Sequence, residues 1–164
     1  FPVLLPDIGR TVGIDDFALG VLTGAFGFAR LVSDLPAGLL ITHHLRKALV
    51  VGAGAVTAGI LCLALGAPYE LLVAGRLLSG LGHTLVMLGG ITGIVRHARR
   101  GSHGLALNAY EMSGMLGILG GMVCAGFLPR DWPWNVTILA ASTPQFIGLA
   151  ALPAFAASKI SPAV

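Results

Sequence analysis

Four of the charged side chains (Lys, Arg, Asp, Glu) stand inside long apolar runs of this 164-residue sequence: Arg30, Asp34, Arg76 and Glu111. A carboxylate held in such a run can take up and release a proton. A guanidinium stays charged at any relevant pH and can hold an anionic group or steady a carboxylate beside it. Arg30 and Asp34 are four residues apart and share one face of a helix. They read either as a structural ion pair or as a proton site in which Asp34 exchanges its proton as Arg30 changes partners. Arg76 and His83 are separated by two helical turns, with Ser79 and Gly80 between them, and form one stripe. His83 reads either as a packing residue or as a proton carrier. Glu111 has Tyr110 beside it and Asn108 one turn away, and either bonds a neighbouring helix or carries a proton. These seven residues are the candidates for binding substrate and protons. Cys62 and Cys124 are far from any CxxC spacing and read as buried packing thiols, so no metal or cofactor is expected.

The elements that carry these residues follow from composition. The chain is 55% hydrophobic and 10% charged, with a mean hydropathy of +0.89. Soluble domains carry about 25% charged residues, so this chain lacks the polar surface to face water and is expected to face lipid. Its 24 glycines sit inside apolar runs, where small residues let helices approach closely. Five segments are long enough to span a bilayer, at roughly 17–41, 48–66, 70–95, 104–128 and 134–157. Residues 1–6 read as the tail of a further helix whose beginning precedes them, and 158–164 as the start of a cytoplasmic linker. The expected fold is an all-α polytopic transmembrane bundle.

Charge sets the orientation. Loops on one side hold Arg46, Lys47, Arg96, Arg99, Arg100 and Lys159 and no acidic residue. Those on the other hold Arg10 and Arg130 with Asp7, Asp15, Asp16, Glu70 and Asp131, and Trp132 and Trp134 as boundary aromatics. The positive-inside rule makes the loops near 42–47 and 96–103 cytoplasmic. The net charge of +3 therefore reads as a topology signal, and a nucleic-acid partner is rejected.

Three local patterns then carry a resemblance. Helix four reads Arg76-Leu77-Leu78-Ser79-Gly80-Leu81-Gly82, an R-x-x-x-G-x-G pattern. The turn after helix two holds Gly38, Arg46 and Lys47, with Thr42 where an Asp is expected and Leu45 where a second Gly is. Helix five carries Gly117, Gly120 and Gly121, with Leu116-Gly117 standing for a Gly-Pro pair. In order and spacing these resemble the N-terminal half of major facilitator superfamily transporters, from the end of helix one through helix six. The resemblance implies a gating role for the loop at Gly38, Arg46 and Lys47, for which a basic turn serving topology alone is the other reading. Gly80, Gly82, Gly117 and Gly121 are expected to pack helices.

The implied function is secondary transport of a small molecule by alternating access, coupled to protons, with export of a drug-like or metabolite substrate favoured. Uptake or facilitated diffusion of a small metabolite is the alternative. A non-transporting receptor or scaffold and an intramembrane enzyme are readings of other classes. The enzyme is disfavoured because the chain has no G-x-S-x-G and no H-E-x-x-H. The expected setting is multi-pass in a cell membrane, of the bacterial inner-membrane kind, with lipid, substrate, protons and a second six-helix half as partners.

Overall fold

The computed structural model describes residues 2–66, 68–99, 101–129 and 131–157, and every regular element among them is helical. A 3-10 turn at Pro2–Leu4 leads into α1 (Leu5–Val12), followed by α2 (Asp16–Ala64), α3 (Tyr69–His97), α4 (His103–Phe127), α5 (Trp134–Ala141) and α6 (Thr143–Ala157). The linker expected at 158–164 lies outside the described residues. Gly13 ends α1 in the left-handed conformation (φ 73°), which favours glycine. Asp15 then caps α2 by accepting a hydrogen bond from the Ala18 amide at 2.8 Å.

Helix α2 has 49 residues and would be about 74 Å long if straight, more than twice the ~30 Å hydrocarbon core of a bilayer. It is not straight. His44 leaves helical geometry (φ −140°, ψ 54°) and divides α2 into two limbs. The six-residue gap expected at 42–47 is thus a bend at one residue. Ile41 to Ala48 contain neither Gly nor Pro, and local bonds carry the first limb up to the bend. Thr42 Oγ1 donates to the Gly38 carbonyl at 2.8 Å, and His43 Nδ1 lies 3.0 Å from the Leu39 carbonyl oxygen. Arg96 Nη2 donates to the Thr42 carbonyl at 2.9 Å, satisfying a carbonyl near the end of the limb. By length and composition α2 and α3 are the two helices among the described residues apolar enough to cross a membrane.

The span expected at 134–157 is also interrupted, at Ser142. Pro144 has no amide hydrogen to donate to the Ala140 carbonyl. Thr143 Oγ1 donates to that carbonyl instead, at 2.7 Å.

Helix α3 lies between the limbs of α2. Its contacts with the first limb run in the same chain order: Ala18 with Tyr69, Leu22 with Arg76, Phe26 with Gly80, Arg30 with Met87, Thr42 with Arg96. Those helices are parallel. Against the second limb the order reverses, Gly52 with Gly82 and Gly59 with Gly75, so that pair is antiparallel. The approach is backbone to backbone. A Cβ at Gly59 would meet the Gly75 carbonyl oxygen at 2.6 Å, and one at Gly82 the Gly52 carbonyl oxygen at 2.6 Å. A Cβ on Gly80 would strike the Phe26 carbonyl.

Two buried clusters flank this packing. Ile8, Leu22, Leu63, Leu72, Trp134 and Ile138 form the one at the Trp134 end, so Trp134 packs into the core. Ala37, Ile41, Ala48 and Leu85 form the one near the bend. Helix α4 stands apart with no buried residue. Cys124 is exposed on α4 and Cys62 only half-buried, which corrects the reading of both as buried thiols. Gly117 and Gly121 are corrected too: a Cβ at either would meet nothing within 4 Å, so they make no close helix contact.

Gly59→Ala is expected to lower the melting temperature in detergent, by the roughly 1–3 kcal/mol typical of overpacking. Gly117→Ala, with open space and better helix propensity, should leave it unchanged or raise it. Equal melting temperatures for Gly59→Ala and wild type would contradict the backbone contact.

Candidate functional site

Arg76 and His83 stand two turns apart on α3 with Ser79 between them, the spacing that puts side chains along one face, and the Ser79 hydroxyl at the edge of that face lies against Gly59 of the second limb of α2. Phe26 of α2 holds Arg76 and His83. The Arg76 guanidinium carbon lies 4.8 Å from the centre of its ring, and the His83 ring centre is 5.6 Å away at 55°. The first is a cation–π contact. Arg76 Nε also donates to the Leu22 carbonyl at 3.4 Å. Arg76 is thus directed by one helix while rooted in another.

These residues line a cavity of about 520 Å³ between α3, both limbs of α2, α4 and α5. Val56, Ile60 and Leu63 of α2 form one wall, and Ile138 with the break at Ser142 another. The wall opposite is α4, which presents Gly117, Ile118, Gly121, Met122 and Ala125. Ser79 is 8% exposed, and its Oγ is buried without a hydrogen-bond partner, against the Gly59 backbone of the second limb of α2.

The remaining candidates divide. Arg30 is half-buried and within electrostatic range of His83, but it makes no ion pair with Asp34. Its Nη2 instead lies 3.8 Å from Met87 Sδ on α3, and its Nε is buried without a partner. The structural-pair reading of Arg30 and Asp34 is therefore overturned; Asp34 is exposed. Glu111 and Asn108 are exposed on α4 and outside the cavity lining. Glu111 precedes Ile118 by two turns, so it stands on the same face of α4 that walls the cavity, about 10 Å along the axis.

Two side chains of α4 bond to α3: His103, whose Nε2 lies 3.3 Å from the Val95 carbonyl oxygen, and Tyr110. The Tyr110 hydroxyl donates to the Met87 carbonyl at 3.4 Å and occupies the space beside Gly90, where a Cβ would meet it at 2.6 Å. Gly90 is two turns beyond His83 on the Arg76 stripe, so Tyr110 stands across that stripe. Of the gating-loop residues, Gly38 is half-buried beside the bend, and Arg46 and Lys47 are exposed just past it.

The sequence reading missed Phe26, the clasp between Arg96 and Thr42, and the seat of Tyr110 on Gly90. Each is a contact between helices about 20 or more residues apart in sequence, which no periodicity within a helix encodes. Among the described residues no group of three His, Cys, Asp or Glu side chains could hold a metal ion.

No curated protein matches the sequence. The family model of the Major Facilitator Superfamily matches residues 1–162, nearly the whole chain and all three of its sequence patterns. The order of helices, the Arg-bearing stripe on α3 and this match agree: the chain belongs to the major facilitator superfamily, a family of integral membrane transporters.

Proposed function

We propose that this chain forms one wall of a proton-coupled secondary transporter, which binds a small molecule at the Arg76 stripe and works by alternating access. The cavity carries the reading: Arg76 and His83 of one helix, with Ser79 between them, line a largely apolar space. Alternating access needs a second set of helices to rock against this one, with the site between them. The end of the bundle bearing the bend at His44 faces the cytoplasm, because Arg46, Lys47, Arg96 and Arg99 cluster there. Glu111 is the coupling carboxylate, supported by its place on the cavity face of α4. Outward movement is the direction to test first.

Two measurements test this. Single cysteines introduced into a background lacking Cys62 and Cys124 distinguish water from lipid around α4. Gly121→Cys and Ile118→Cys should react with a charged methanethiosulfonate. Leu116→Cys and Val123→Cys, on the opposite face, should resist it, and equal labelling of both faces would remove the aqueous cavity. Second, the full-length protein in everted vesicles should dissipate an imposed pH gradient when offered substrates from a panel of organic anions and cations. Glu111→Gln, inserted at normal level, should reduce that signal about tenfold or more, and Asp34→Asn should not. If Glu111→Gln keeps the wild-type signal, Glu111 is not the coupling site. If the variants and the wild type all move substrate without protons, the protein is a facilitator.

A further inference from the structure

The end of the bundle at the His44 bend carries cations without counterions. Arg46 and Lys47 are exposed just past the bend on α2, and Arg96 and Arg99 are exposed at the end of α3. The two groups are held together. A Cβ at Gly93 would meet Leu45 Cδ2 at 3.9 Å, and Arg96, one turn further along α3, donates to the Thr42 carbonyl. The sequence has no Asp or Glu between Asp34 and Glu70, nor between Glu70 and Glu111. Along their helices Asp34 stands about 15 Å from the bend and Glu111 about 12 Å from the start of α4. Glu70 lies at the opposite end of α3. Among the described residues none of the four cations makes an ion pair, whereas at the other end of the bundle Arg10 is paired with Asp7 at 3.7 Å.

The surface beside these cations is apolar. From Leu45 to Ala64 the second limb of α2 rises about 30 Å, the thickness of a hydrocarbon core, so Arg46 and Lys47 stand at headgroup level where that limb spans. One face of the limb meets α3 through Gly52 and Gly59, and another lines the cavity through Val56, Ile60 and Leu63. The third face runs from Lys47 through Val51, Gly54, Ala58 and Leu61, alternating four- and three-residue steps that make one line. All five residues are exposed. A Cβ at Gly54 would meet nothing within 4 Å, and Gly54 and Ala58 leave a shallow trough between Val51 and Leu61. A free phosphate would use the cations and leave the trough empty. An acidic soluble protein would reach the cations but not a trough inside the bilayer. A phospholipid uses both, and clustered Lys and Arg at a membrane surface favour anionic headgroups.

We propose that this end of α2 and α3 holds an anionic phospholipid, its phosphate on Arg46 and Lys47 beside Arg96 and Arg99, and one acyl chain along Val51, Gly54, Ala58 and Leu61. The site lies on the outside of the bundle, apart from the Arg76 cavity, and requires only that the chain crosses a bilayer.

The test uses the full-length protein, purified and delipidated in detergent. It is titrated with phosphatidylglycerol or with phosphatidylcholine of the same acyl chains, and bound lipid is counted by native mass spectrometry. Phosphatidylglycerol should bind about tenfold or more tightly, as expected for two surface cations. Arg46→Gln combined with Lys47→Gln should remove most of that preference and leave phosphatidylcholine binding unchanged. Arg10→Gln, at the other end of the bundle, should bind both lipids as wild type does. Gly54→Phe keeps every cation and fills the trough without striking the protein; it should weaken phosphatidylglycerol binding severalfold, and it carries the test if the double variant does not fold. Glycerol phosphate (the headgroup without chains) and polyglutamate (an acidic chain without lipid) should not displace the bound lipid. Equal affinity for the two lipids, unchanged phosphatidylglycerol binding in the double variant or in Gly54→Phe, or an equal loss in Arg10→Gln would each overturn the proposal. Displacement by glycerol phosphate would make this a site for a free phosphate, and displacement by polyglutamate a dock for an acidic protein; either overturns the lipid. No substrate or pH gradient enters these measurements, so the transporter reading stands or falls separately.

Discussion

Close contact between glycine backbones fixes the position of α3, and the cavity depends on that position. In lipid there is little hydrophobic drive for one apolar helix to leave its surroundings for another, so association relies on close packing and interhelical hydrogen bonds. The pairs Gly59 with Gly75 and Gly52 with Gly82 bring α3 against the second limb of α2 until carbonyl oxygens stand where side chains would. Gly80 does the same against the first limb. With two of its faces consumed in this way, α3 turns toward the cavity the stripe that holds Arg76 and His83.

A charge at such a position is expensive unless the fold answers it. Arg76 is answered from α2, by the Phe26 ring and the Leu22 carbonyl. Both contacts come from the first limb of α2 and fix the direction of the guanidinium. Arg30 is treated differently. It sits one turn beyond Phe26 and faces a methionine sulfur, so its charge acts on the site from a distance. The two arginines, alike in the sequence, are given unequal roles by what their neighbours on α3 happen to be.

That difference marks how far the sequence could be read. The class of fold was legible because composition reports the solvent a chain faces, and the helix-four pattern was legible because Arg76, Gly80 and Gly82 lie within two turns of each other. The interruption at 42–47 was legible as a gap, but its reduction to a bend at His44 was not, since the Thr42 carbonyl is bonded by Arg96 from another helix. Nor was the fate of Arg30: four-residue spacing makes a pair with Asp34 possible, but Met87 on a neighbouring helix decides the rotamer. Gly117 and Gly121 were misread as packing residues because a small-residue stripe looks the same whether it meets a helix or borders a cavity. The span expected at 134–157 ran through the break at Ser142, although Pro144, which cannot donate a backbone hydrogen bond, is a signal for it in the sequence.

Unequal attachment of the cavity walls has a further mechanical consequence. The wall formed by α2 and α3 is joined by backbone contact and cannot slide without opening carbonyl-to-glycine contacts. The α4 wall has no buried residue and is hydrogen-bonded to α3 through His103 at its start and Tyr110, whose hydroxyl rests beside Gly90. Gly90 gives Tyr110 a seat without a side chain to lock it. In the proposed cycle the rigid wall would keep Arg76 and His83 in register with the ligand, and α4 would supply the motion. Glu111, adjacent to Tyr110, would then be carried by any tilt of α4 about that seat. Movement of the wall and exposure of the coupling carboxylate would be one event, which is the linkage that proton-driven alternating access requires.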